Sequence, residues 1–254
     1  MQVNRLKQKL KDGQTAFGAF FRYPDPDAAE FLSLQGFDFL VFDAEHGTIE
    51  PGHCQQMVRS AELHDVTPIV RPPMNHPRVI LRYLDTGAQG VLVPMVNSAD
   101  EAALVVAATK YLPLGQRGLA GSRAADYGQR MSLDDYTRFA NEQTLVVVQI
   151  ETAQAVDALP QIVKVDAVDV VFVGPTDLSA SLGVTGQSDH PKMRQALERI
   201  TRIVADSDKV MGIMVTHGEA ARQWAQRGAG FISVPYEALA KQACQSYLQE
   251  ARDG

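Results

Sequence analysis

Four short stretches hold the residues that could do chemistry together: Asp43-Ala44-Glu45-His46-Gly47, Arg71-Pro72-Pro73, Gln149-Ile150-Glu151 and Gly174-Pro175-Thr176-Asp177. Glu151 and Asp177 are two carboxylates. If they meet, they repel unless one takes a proton or a cation bridges them. Two carboxylates plus waters suit a hard divalent ion such as Mg²⁺ or Mn²⁺, with positions left open for substrate oxygens. Each could instead form a salt bridge, and Asp177, ahead of LSASLG, could cap a helix. His46 follows an acidic pair and titrates near neutrality, which suits proton transfer; a purely structural histidine is the other reading. Arg71, among apolar residues, needs an anionic partner. A substrate carboxylate, a developing oxyanion, Glu45 or Asp43 would each serve, and these roles can coexist. Gln149 and Glu151 are two apart, so on a strand they share a side. There the amide could orient a bound oxygen or make a plain interior hydrogen bond.

These residues share a position: each lies at the end of a short β-rich apolar run. The runs are 16–21, 37–43, 67–71, 90–96, 144–151, 169–174, 209–215 and 230–235. They are continuous rather than alternating, as parallel strands buried on both faces should be. Helix signals fill the gaps. Asp27 precedes AAEFLSLQ, Pro77 and Pro191 open helices, and Ser98-x-x-Glu101 and Thr216-x-x-Glu219 read as capping boxes. Eight strands, each followed by a helix, predict a (β/α)8 TIM barrel, an α/β fold whose active site lies at the C-terminal ends of the strands. An open doubly wound sheet would show the same alternation, but neither GxGxxG nor GxxxxGK[ST] is present. The connection at 97–143 is long and carries Arg117, Arg123 and Arg130. It is expected at the C-terminal face, in a functional role.

Composition narrows the function. The chain has 254 residues with 24 Lys and Arg against 30 Asp and Glu, a net charge of −6. Roughly 250 residues is the usual size of one such barrel, and nothing divides residues 1–254 into more than a single domain. The acidic balance, without a basic block, argues against nucleic acid or an anionic membrane as partner. No apolar run approaches ~18 residues, so no transmembrane helix is expected. The start, MQVNRLKQKLKDG, lacks the apolar region of a signal peptide. Cys54 and Cys244 show no metal-ligand spacing and suit a reduced cytoplasm. No lysine lies at a predicted strand end, which disfavours Schiff-base chemistry, and no Gly-x-Ser-x-Gly suggests a serine hydrolase. The residues point to a metal-assisted lyase or hydrolase on a small anion, with His46 moving the proton.

At these positions the chain resembles the HpcH/HpaI aldolase family, metal-dependent class II aldolases with a pyruvate-type donor. The resemblance runs through FDFLVFDAEHG (37–47), VRPPMN (70–75), LDTGAQGVLVPMVNSADEA (84–102), Arg117-Gly118, VQIET (148–152) and GPTDLSASLG (174–183). It implies that Glu151 and Asp177 bind Mg²⁺, Mn²⁺ or Co²⁺, that His46 is the base, and that Arg71 stabilises the enolate and holds the donor's carboxylate. It implies donor contacts from Gln149 and from the Thr176 backbone, and an aspartate, Asp85, that partners the histidine. Asp85 is predicted at the end of the helix before strand four, too low to reach His46 of its own chain. A neighbouring subunit would have to supply it. Similar proteins form hexamers, trimers of dimers that exchange the last helix, here about 237–252.

The implied reaction is reversible aldol cleavage of a 4-hydroxy-2-oxo acid to pyruvate, or a hydroxypyruvate-like donor, plus an aldehyde. Alternatives are a lyase on oxaloacetate or on acyl-CoA or citrate-type substrates, and a noncatalytic protein that binds a 2-oxo acid. The chain departs from its relatives at Phe20, where Trp is frequent, at Arg22-Tyr23, in GSRAADYG (121–128) and in SVPYEALA (233–240). These regions are expected to shape the aldehyde pocket, with Arg22, Arg123 and Tyr127 as candidate acceptor contacts.

Overall fold

A computed structural model describes residues 1–253. The eight strands are β1 (Ala16–Phe21), β2 (Phe39–Asp43), β3 (Thr67–Arg71), β4 (Gly90–Val93), β5 (Leu145–Ile150), β6 (Val170–Val173), β7 (Val210–Met214) and β8 (Ala229–Pro235). They pair in sequence order, all parallel, and β1 closes on β8 to complete the barrel. The fold is the expected (β/α)8 barrel. Because every strand runs the same way, the polar residues at their C-terminal ends collect at one face.

Alternation along the strands splits the apolar residues into two layers. Phe20, Phe39, Val41, Ile69, Leu92, Val147, Phe172 and Phe231 fill the barrel interior. Their neighbours, such as Phe21, Leu40, Phe42, Val70, Val148 and Val173, face the surrounding helices. An N-terminal helix not foreseen from the sequence, α1 (Arg5–Lys11), plugs the lower end with Leu6 and Leu10. Among the described residues no helix is long and apolar enough to cross a membrane.

Helix starts depart from expectation in instructive ways. Helix α2 (Pro26–Ser33) is capped by Asp25, not Asp27; Asp25 Oδ1 accepts from the N–H groups of Asp27 and Ala28. Pro26 at the first helical position already has the required φ, so the cap falls just before it. Helix α3 (Pro51–Leu63) follows β2, and α4 (Pro77–Leu84) is capped by His76. Helix α5 (Ala99–Thr109) has Ser98 as cap, as expected, while Glu101 reaches back to the N–H of Asn97 rather than of Ser98. After α6 (Leu133–Gln143) come α7 (Ala153–Ile162), α8 (Pro175–Ser181) and α9 (Pro191–Ala205). Helix α10 (Gly218–Gln226) is capped by the His217 ring and not by Thr216. Helix α11 (Tyr236–Arg252) ends the fold.

The long connection corrects a larger expectation. Its first part, α5, has 11 residues and at ~1.5 Å each carries the chain back down the barrel. The segment between α5 and β5 is therefore a helix-to-strand connection at the N-terminal face. Arg123 pairs there with Glu62 and donates to Thr86 O at 2.8 Å, while the chain's N-terminal ammonium meets Asp126 at 2.7 Å. Arg123 and Tyr127 thus lie at the end of the barrel opposite the C-terminal face of the same chain. Lys110, buried, ties this segment to β5 by donating to Asn141 O and Thr144 O. Burial pushes its ammonium down to about 7.

Candidate active site

At the C-terminal face a cavity of about 270 Å³ opens, and His46, Arg71, Gln149, Thr176 and Asp177 all line it. Residues from β2, β3, β5 and β6 converge there because alternate positions of each strand point into the barrel. Asp43 and Arg71 are direct register partners on β2 and β3. Arg71 grips Asp43 with two parallel bonds, Nε to Oδ1 at 2.8 Å and a terminal nitrogen to Oδ2 at 2.6 Å. The other terminal nitrogen lies 3.2 Å from Glu45 Oε2, and the guanidinium rests over the Phe20 ring. Of its five N–H donors, some remain for a ligand in the cavity it lines. Asp43 Oδ1 also accepts from the N–H groups of Glu45 and His46, which shapes the turn that presents His46. The His46 ring is exposed, with Nε2 3.8 Å from Glu45 Oε2.

The carboxylates divide by environment. Burial opposes ionisation of Asp43, but the Arg71 bonds and charge, with the two N–H groups, outweigh it and hold its carboxyl below the usual range. Burial pushes Glu45 up; Asp43 and Asp177 add to that, and Arg71 and His46 only partly offset it. Burial also pushes Glu151 up, and the negative charges of Glu45 and Asp177 act in the same direction. Glu151 is 2% exposed. Its Oε1 accepts from Met95 N–H at 2.7 Å and its Oε2 from the Gln149 amide. Arg71 therefore stands among four acidic side chains, a surplus of negative charge that a dication would reduce.

Glu151 sits just behind the wall formed by Gln149 and Gly174. A Cβ on Gly174 would come within 2.7 Å of Gln149 Nε2 and 2.8 Å of Glu151 Oε2. Gln149 Oε1 is buried without a hydrogen-bond partner, an acceptor aimed at nothing in the protein. Among the described residues no group of three or more His, Cys, Asp or Glu could hold a metal by itself. Two carboxylates such as Glu151 and Asp177 could hold an ion with coordination positions left for exogenous oxygens, an arrangement that suits Mg²⁺ or Mn²⁺ better than Zn²⁺. Gly174→Ala is expected to push these groups apart, raising the metal concentration needed for half-maximal activity by about tenfold or more. A metal titration of activity checks this.

Asp85 is not brought to this cavity. It caps the lower end of α4 and pairs with Arg117 at 2.9 Å, and Arg117 stacks on Tyr111.

A family model described as HpcH/HpaI aldolase/citrate lyase matches residues 16–240. The chain belongs to this family. It is 39% identical over 234 residues to the 4-hydroxy-2-oxo-heptane-1,7-dioate aldolase of Escherichia coli, covering 91% of this chain and 88% of that one. Among solved structures it is similar to an HpcH/HpaI aldolase/citrate lyase family protein from Burkholderia cenocepacia J2315. That likeness has a TM-score of 0.93 at 34% identity, covering 98% of this chain and all of the other. An HpcH/HpaI aldolase from Desulfitobacterium hafniense DCB-2 matches with TM-score 0.92 at 28% identity, covering 100% and 98%.

Within this HpcH/HpaI fold, two features of the site were not foreseen in the sequence. Met95 has φ 55, a left-handed backbone that costs a non-glycine residue about 1–2 kcal/mol. That turn aims its N–H at Glu151, and Asn97 Nδ2 holds its carbonyl at 2.8 Å. The only signal in the sequence was a polar residue, Asn97, directly after the apolar run 90–96. The second is Glu237, which lines the cavity from the start of α11 and pairs with Arg22.

Proposed function

We propose that this protein is a divalent-metal-dependent class II aldolase. It cleaves 4-hydroxy-2-oxo acids reversibly to pyruvate, or a hydroxypyruvate-like donor, and an aldehyde. The observation that carries this reading is the meeting of Arg71, Gln149 and Asp177 in one cavity, with Glu151 behind its wall and His46 at its rim.

Glu151 and Asp177 would hold the ion, Mg²⁺, Mn²⁺ or Co²⁺. When bound, it supplies Lewis acidity to the carboxylate and keto oxygens of the 2-oxo acid and so favours enolisation. The protein's own groups do the rest. Arg71, fixed by Asp43 and Glu45, donates to the donor's oxygen as negative charge develops there. Gln149 and the Thr176 backbone N–H, free in the first turn of α8, orient the donor. His46 removes the C3 proton in condensation and takes the C4 hydroxyl proton in cleavage, directly or through water. Phe20 and Met214 keep the donor end of the cavity apolar.

Within the chain His46 Nε2 lies 3.8 Å from Glu45 Oε2, while Asp85 is held with Arg117 at the lower end of the barrel. We therefore assign that role to Asp85 of a neighbouring subunit, in a homo-oligomer of the hexameric, trimer-of-dimers kind, with α11 as the exchanged helix. The absence of any buried residue on α11 supports this. Free Cys54 and Cys244 fit a reducing cytoplasm.

The test is pyruvate release from 4-hydroxy-2-oxo acids of varied length and charge, followed with lactate dehydrogenase. Release is expected with added Mg²⁺ or Mn²⁺ and is lost after chelation. Undiminished turnover in thoroughly chelated protein would sink the metal role. A second expectation concerns pH. Glu45 and Glu151 titrate above their ordinary values in the folded protein, so without metal the fold loses stability as pH rises through that range. Metal binds the ionised forms. The rise in melting temperature on adding Mn²⁺ should therefore be small at pH 4 and grow toward pH 7. An increment that shrinks with pH contradicts this.

A further inference from the structure

Opposite the donor wall, the cavity is bounded by Arg22, just past β1, and Glu237, in the first turn of α11. Arg22 Nε lies 2.6 Å from Glu237 Oε1, and both side chains are partly exposed. The Glu237 carboxylate also pushes the Tyr23 phenol above its usual value. The pair is held from behind. Phe21, Tyr23 and Tyr236 form three edge-to-face contacts with centroids 5.2–5.9 Å apart. A Cβ on Gly47 would come within 2.5 Å of Arg22 O and 2.3 Å of Asp43 O, so the Arg22 backbone is locked against the turn that presents His46.

We propose that Arg22 and Glu237 form the acceptor subsite and that it takes an uncharged, hydroxylated aldehyde. The proposal rests on the aldolase reading above. A lone arginine at this rim would select an acceptor ending in a carboxylate. Here its charge is already met by Glu237, and an incoming carboxylate would face a like charge. A hydroxyl suits the pair because it can accept from the guanidinium and donate to the carboxylate at once. Arg22 keeps terminal N–H groups for this purpose; among the described residues Glu237 is its one acidic partner within 4.0 Å.

The experiment is aldol condensation with pyruvate as donor and either glyceraldehyde or succinic semialdehyde as acceptor, in the wild type, Glu237→Gln and Arg22→Gln. The readout is the ratio of the two kcat/KM values, from which any inactive fraction of a preparation cancels. The wild type is expected to favour glyceraldehyde by about tenfold or more. Glu237→Gln leaves Arg22 uncompensated and should move the ratio about tenfold toward succinic semialdehyde. Arg22→Gln leaves Glu237 uncompensated and should move it the other way. A wild-type preference for succinic semialdehyde, or ratios in both variants within twofold of wild type, overturns the subsite. Wild-type exchange of the pyruvate C3 protons in D₂O is followed in parallel. If it proceeds, an unmoved ratio counts against the clamp alone. If exchange and condensation are both absent with metal present, the aldolase reading falls and the clamp falls with it.

Discussion

Glu151→Gln is expected to lower kcat/KM for cleavage by about 10³-fold, ~4 kcal/mol of transition-state stabilisation, without weakening the apo fold. The two halves have one cause. Glu151 is buried, and the charges of Glu45 and Asp177 act against its ionised form. Those conditions suit a metal ligand and are unfavourable for a bare carboxylate. A glutamine keeps the volume and one oxygen for the Met95 N–H. Its new N–H₂ would face the Gln149 amide, which can turn over and present Oε1, now lacking a partner. The swap thus removes a desolvated charge and leaves the number of hydrogen bonds unchanged. Thermal unfolding in EDTA at pH 7 should show an unchanged or higher midpoint, with ~2–4 °C per kcal/mol gained. Activity within tenfold of wild type would remove Glu151 from the metal seat. A large loss of stability would show that its charge is structural.

Arg71→Ala should cost both activity and stability. Arg71 is 5% exposed and is the guanidinium that grips Asp43 and neighbours Glu45. Its removal leaves Asp43 buried and uncompensated, which costs about 3–5 kcal/mol at neutral pH. The pH dependence identifies the source. In the wild type the Asp43 carboxyl is held below its unfolded value, so its contribution is present above that value and is lost as pH falls through the folded one. In the variant the shift reverses. Burial then raises Asp43, and the penalty is largest at neutral pH and shrinks as the carboxyl protonates. Urea denaturation at pH 7 and pH 4.5 measures both, and a deficit that does not shrink at pH 4.5 rejects the argument. Adding Asp43→Asn should recover part of the stability at pH 7. Arg71→Lys keeps a charge but not the fork, so it should retain more stability than activity, with kcat/KM down about 10²-fold.

Several parts of the site were legible because their logic is local. Continuous apolar runs broken by capped helices require parallel strands, and parallel strands send their C-terminal ends to one face. Gln149 and Glu151 share a side because the strand period is two. That arithmetic gathers His46, Arg71, Gln149, Thr176 and Asp177 from residue types and spacing alone. Of the open alternatives for Arg71, the structure shows Asp43 and Glu45 together as its partners, with N–H donors left over.

The long connection was misjudged because a sequence does not show how far a helix travels. Only the length of α5 against the barrel height puts Arg123 and Tyr127 at the lower end. The left-handed turn at Met95 depends on the carboxylate waiting across the β4–β5 pair, a contact between segments distant in sequence.

By itself, then, the sequence determined the eight-fold repeat, the face where the cavity opens and five residues that line it, His46, Arg71, Gln149, Thr176 and Asp177, because backbone geometry and apolar periodicity act over a few residues at a time. Only the tertiary structure decided which charges compensate one another. Asp43 and Glu45 both pair with Arg71, where the sequence left either open, and Arg22 meets Glu237 because the first strand closes on the last. Coulombic partners depend on distance in space and on burial, and both come into being only when the barrel closes.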